Sequence, residues 1–107
     1  MKVLAIPTET RRARKNPAAE TDPDQWHDAI RVNLLGPYFL ARAALPALRA
    51  RRGRIVNVSS GAARHPIPGA SAYCAAKAAL THLSRVLAAG EPEVTVFTGL
   101  VGCQEKM

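Results

Sequence analysis

A chain of 107 residues, 48% of them apolar, is long enough for one small domain and too short for two. Its net charge of +7 favours anionic partners, but five aromatic residues offer little for base stacking and no apolar run approaches the roughly 18 residues that cross a bilayer. Neither nucleic-acid binding nor membrane insertion is expected, and two cysteines with three histidines at no metal-ligand spacing argue for a reducing, cytoplasmic setting with no metal site.

Residues 1–20, "MKVLAIPTETRRARKNPAAE", read as an irregular segment in which "KVLAI" is the stretch able to form a short strand. Eleven of the fifteen lysines and arginines fall in residues 1–54, mainly in "RRARK" at 11–15 and "RARRGR" at 49–54. The second cluster follows a predicted helix end, where cations complement the carbonyl dipole. That helix spans about 23–50. Asp22 is its cap, Pro23 stands in its first turn, and Ile30, Leu34, Tyr38, Ala41, Leu45 and Leu48 form its apolar face. Gly36-Pro37 and Pro46 each weaken a backbone bond, so a kink is predicted near Asn33.

"RIVNVSS" at 54–60 is a β-branched run suited to a buried strand of a parallel sheet, predicted at 54–59. A loop, "GAARHPIPGA", leads to a helix at 72–89, with Ser71 as cap, Leu80, Leu83, Val86 and Leu87 as apolar stripe, and Gly90 and Pro92 as stop. A further strand is predicted at 94–98. Within "SAYCAAKAAL", Tyr73 and Lys77 are four apart and share a helix face. An ammonium close to a phenol favours the phenolate and brings the tyrosine towards proton exchange at working pH. An arbitrary Y-x-x-x-K is more often a packed tyrosine beside a lysine that reaches water. Here Ser60 stands at the carboxyl end of a predicted parallel strand, where α/β sheets bind ligands, which points to a carbonyl or hydroxyl site. Cys74 has no histidine placed to activate it as a nucleophile.

"GRIVNVSSGAARHPIPGASAYCAAKAALTHLSRVLA" resembles the serine strand, proline-glycine loop and Y-x-x-x-K helix of the short-chain dehydrogenases/reductases, including the serine-to-tyrosine interval of thirteen. "DQWHDAIRVNLLGPYFLARAALPAL" resembles the preceding helix with its asparagine, so the likeness covers about 21–98. The resemblance implies an α/β fold, a partial Rossmann-like doubly wound sheet in residues 21–107, built as helix, strand, helix, strand. It implies hydride transfer between NAD or NADP and a small alcohol or carbonyl substrate. Tyr73 would be the acid/base, Lys77 would lower its pKa and hold the nicotinamide ribose, Ser60 would orient the substrate oxygen, and Asn33 would hold a water.

The family's glycine-rich phosphate turn and N-N-A-G segment have no counterpart among the seven glycines. "VTVFTGLVGCQEKM" resembles the next strand and an altered P-G-x-V-x-T nicotinamide loop, with Val101 for proline, Gly102 retained as cofactor contact and Lys106 for threonine. The likeness is thus to a domain shortened at both ends, whose serine strand would be left with an unpaired edge. Helices 23–50 and 72–89 correspond to those through which the family forms homodimers. The alternative is a catalytically silent fragment that at most self-associates.

Overall fold

The computed structural model describes residues 3–6, 17–100 and 103–106. Its elements run in the order β1 (Val3–Ile6), α1 (Pro23–Ile30), a π-helical turn (Arg31–Leu35), α2 (Gly36–Arg51), β2 (Arg54–Val58), α3 (Ser71–Gly90), β3 (Thr95–Leu100) and β4 (Cys103–Lys106). Short 3-10 turns lie at Ala18–Glu20 and Gly61–Ala63.

The strands form one sheet in the order β1-β2-β3-β4. β2 is parallel to both β1 and β3, with Ile55 opposite Leu4 on one side and Val96 on the other, and β4 returns antiparallel along β3. "KVLAI" therefore takes its strand option. The serine strand is not left with an open edge, because β1 and β3 receive its backbone groups, and the outer strands of the sheet are β1 and β4. The architecture is a partial Rossmann-like α/β unit.

The helices share one face of the sheet. Ile55, Val94 and Val96 pack against Ala41, Leu45 and Leu48 of α2, with Leu87 and Ala88 of α3 closing the cluster. Side chains alternate along a strand, so Arg54, Val56 and Val58 turn to the opposite face, where the Arg54 guanidinium lies 5.7 Å from the Phe97 ring centroid. No helix among the described residues packs on that face.

Asp22 caps α1 as predicted, accepting from the Asp24 amide at 3.1 Å. The predicted single helix is broken by the π-helical turn, in which the Gly36 amide donates to Arg31 O. The cause is local. Asn33 Nδ2 donates to Ala29 O at 2.9 Å, so a side chain enters the backbone ladder, and Pro37 brings no N–H to the next turn. A π turn holds more residues than an α turn, so the buried face shifts by one position upstream of Ala41. Ala29, Asn33 and Pro37 are buried in place of Ile30, Leu34 and Tyr38, and Tyr38 is exposed. Pro46 is accommodated inside α2.

Arg52 ends α2 in the left-handed conformation at φ 49°, and the Gly53 amide returns to Leu48 O at 2.9 Å, a Schellman closure that turns the chain into β2. Arg49 Nε and Nη2 hold the Glu91 carboxylate at 2.5 and 2.8 Å, tying the end of α2 to the end of α3. The hydrogen bond from Arg49 holds the Glu91 carboxyl below its ordinary range. A depressed carboxylate contributes stability that is present above its unfolded-state pKa of about 4.3 and is lost as pH falls through the lower folded value. Glu91→Gln is therefore expected to lower the melting temperature at neutral pH, with the difference from the parent chain shrinking in acid, as thermal unfolding across a pH series would record. A constant difference at every pH would remove the ion pair as its source.

Candidate active site

α3 begins at Ser71, one residue before the predicted start, and Ser71 does not cap it. The Ser71 hydroxyl instead accepts from Trp26 Nε1 at 3.1 Å, which fastens α1 to the first turn of α3. The approach to α3 is set by a turn at Pro68-Gly69. The Ala70 amide donates to Ile67 O at 3.1 Å and Gly69 has φ 83°, the arrangement of a type II turn in which the third position requires glycine.

This turn delivers Tyr73 into the interior. Tyr73 is 1% exposed and Lys77 0%. Tyr73 packs with Ala62 and Ala70, flanked by Ile67 and Cys74. Lys77 Nζ donates to Val58 O at 3.2 Å, at the end of β2, and lies 5.5 Å from the centroid of the Tyr73 ring. A buried ammonium is thus compensated by a carbonyl dipole and an aromatic face. Ser60 stands two residues past the end of β2, and its Oγ accepts from the Ala62 amide at 3.2 Å, which starts the Gly61–Ala63 turn. Since Ala62 is itself in the cluster around Tyr73, the Ser60 segment is held against the same part of α3.

Asn33 stands on the π-helical turn, which packs on α3 together with α1. With Nδ2 engaged by Ala29 O, Asn33 Oδ1 is buried without a hydrogen-bond partner among the described residues. Val101 and Gly102 lie outside the described residues. Lys106, read as part of a nicotinamide loop, ends β4 opposite Phe97, so Cys103–Lys106 pairs along β3 rather than forming a loop there.

Several partners escaped the sequence reading. The predicted apolar stripe of α3 is Leu80, Leu83, Val86 and Leu87. The fully buried positions are Ala72, Tyr73, Ala76, Lys77, Leu80 and Ser84, while Val86 is 55% exposed. Ser59 and Thr81 hydroxyls meet at 3.1 Å, and Asn57 Nδ2 donates to Ser84 Oγ at 2.7 Å. The signal for these was available: Thr81 and Ser84 lie four and seven residues after Lys77, on one helix face, and Asn57 and Ser59 alternate on the strand.

A parallel β-α-β unit with a phenol and an ammonium buried together at a strand's carboxyl end defines a Rossmann-type α/β protein with acid/base chemistry within reach. The family model of short chain dehydrogenases matches residues 9–102, and the chain belongs to that family. It is 37% identical over 76 residues to an uncharacterized oxidoreductase of Schizosaccharomyces pombe, an alignment covering 71% of this chain and 31% of that protein. A short-chain dehydrogenase structure from Streptomyces avermitilis superposes with a TM-score of 0.82 at 35% identity, covering 92% of this chain and 36% of that one. A metagenomic short-chain oxidoreductase solved in complex with NADP gives 0.80 at 32% identity, covering 91% and 45%. The chain thus spans about a quarter to a third of the length of the curated relatives it matches.

Proposed function

We propose that this chain carries the acid/base half of an NAD(P)-dependent oxidoreductase acting on a small alcohol or carbonyl compound. The observation that carries the reading is the shared burial of Tyr73 and Lys77, with the ammonium 5.5 Å from the phenol ring. Lysine is rarely fully buried, and an apolar residue in its place would cost the fold less desolvation.

In this mechanism Tyr73 Oη gives its proton to the substrate oxygen during reduction and takes it back during oxidation. The Lys77 charge favours the phenolate between those events. The Ser60 hydroxyl turns from the Ala62 amide to the substrate oxygen and fixes its direction. Asn33 Oδ1 accepts from a water that restores the proton from solvent. The nicotinamide, when bound, supplies or receives the hydride. Tyr73 and Lys77 fit its ribose end, offering a hydroxyl and ammonium donors, and Gly102 is assigned to the nicotinamide end. For the pyrophosphate the sequence holds no G-x-G-x-x-G, so these 107 residues do not fit that part of the cofactor.

Titration with NADPH and NADH tests the reading. A saturable rise in nicotinamide fluorescence with micromolar affinity is expected if these residues suffice to hold the ribose end. No response at any concentration would leave hydride transfer by this chain without support.

That missing turn favours a second reading, in which this chain is silent in hydride transfer and acts through self-association. Leu35, Tyr38, Phe39 and Leu40 are exposed together on the π turn and α2, with Phe39 58% accessible, and a second copy would cover them. Sedimentation should give a dimer for the parent chain and a monomer for Phe39→Glu; a monomeric parent at high concentration would end this proposal. No helix of the described residues is long and apolar enough to cross a membrane.

A further inference from the structure

Beside the apolar cluster of Ile55, part of the contact between β2 and α3 is polar. Asn57 Nδ2 donates to Ser84 Oγ at 2.7 Å, and Ser84 Oγ donates onward to Leu80 O at 2.9 Å. One lone pair of the Ser84 hydroxyl remains, since a hydroxyl can accept twice. Two further atoms of this layer, Asn57 Oδ1 and Thr98 Oγ1, are buried and have no hydrogen-bond partner among the described residues. Asn57 and Thr98 are direct register partners on β2 and β3, so both side chains stand on the same face of the sheet, one strand spacing apart. Both residues are 1% exposed, which leaves bulk solvent no route to either atom.

An acceptor and a hydroxyl on neighbouring strands, with a third lone pair close by, make a site for a bridging water and not for an apolar group. We infer that one internal water is held between Asn57 Oδ1 and Thr98 Oγ1 under Ser84. It donates to the Asn57 carbonyl oxygen and to the Ser84 hydroxyl and accepts from Thr98. With it in place Asn57 Oδ1 and Thr98 Oγ1 are both paired. The inference is independent of hydride transfer, because it concerns the packing of β2, β3 and α3.

A crystal structure of the full 107-residue chain at a resolution that orders internal waters tests it. A single fully occupied water within hydrogen-bond distance of both Asn57 Oδ1 and Thr98 Oγ1 is the expected result. A direct contact between the two side chains, or a dry gap, would overturn it. Thr98→Val keeps the shape and removes the hydroxyl, and loss of the water is expected there. Thr98→Ser keeps the hydroxyl and guards against a valine variant that fails to fold: the water should remain, and its loss from the serine variant would count against the site.

Discussion

Turnover by a Tyr73→Phe chain is expected to fall by about a hundred- to ten-thousand-fold, the usual contribution of a positioned general acid or base, with cofactor affinity largely kept. The substitution is conservative in shape. The phenylalanine ring retains the packing against Ala62 and Ala70 and the face presented to Lys77, so what disappears is the exchangeable proton. Oxidation or reduction of the nicotinamide, followed by its absorbance against a panel of alcohols and carbonyl compounds, provides the measurement. Equal rates for parent and variant would remove Tyr73 as the acid/base. A parent chain that binds cofactor and turns nothing over would favour the silent, self-associating reading.

Ile55→Ala should produce the largest loss of stability, about 2–5 kcal/mol as for other fully buried isoleucine truncations. Ile55 is 0% exposed, sits between β1 and β3 in the sheet and belongs to the main core formed with α2 and α3. Stabilities of small domains lie near about 5–15 kcal/mol, so a loss of about 3 kcal/mol raises the unfolded fraction more than a hundredfold. Urea unfolding followed by far-ultraviolet circular dichroism should show the midpoint falling sharply with the slope unchanged. A midpoint within error of the parent would mean that this strand does not anchor the core.

The sequence made α3 and β2 legible for physical reasons that survive in the structure. Small residues around Tyr73 and Lys77, a proline-glycine turn ahead of them and a β-branched run before that leave few alternatives. β1 was harder to read, since four residues next to proline and basic clusters carry a weak strand signal, and their place depends on pairing with β2 half the chain away. The π-helical turn was partly legible. Gly36-Pro37 announced a break, but the decisive contact, Asn33 to Ala29 O, depends on the direction taken by one side chain. β4 was misread because "CQEK" is short and polar, and its likeness to a loop outweighed its capacity to close the edge of β3. At the candidate site, Tyr73 and Lys77 were read by spacing, whereas the Val58 carbonyl that receives the lysine belongs to the backbone and leaves no trace in residue type.

The parallel pairing of β1 with β2 also orders events during synthesis. Leu4 leaves the ribosome long before Ile55, and no hairpin can join two parallel strands, so β1 must wait until α1, α2 and β2 have followed it. β3 and β4, by contrast, are neighbours in sequence and can pair locally. Closing the long segment between β1 and β2 carries the larger entropic cost, which makes the docking of β1 a late and slow event in refolding and leaves β1 seeking partners meanwhile.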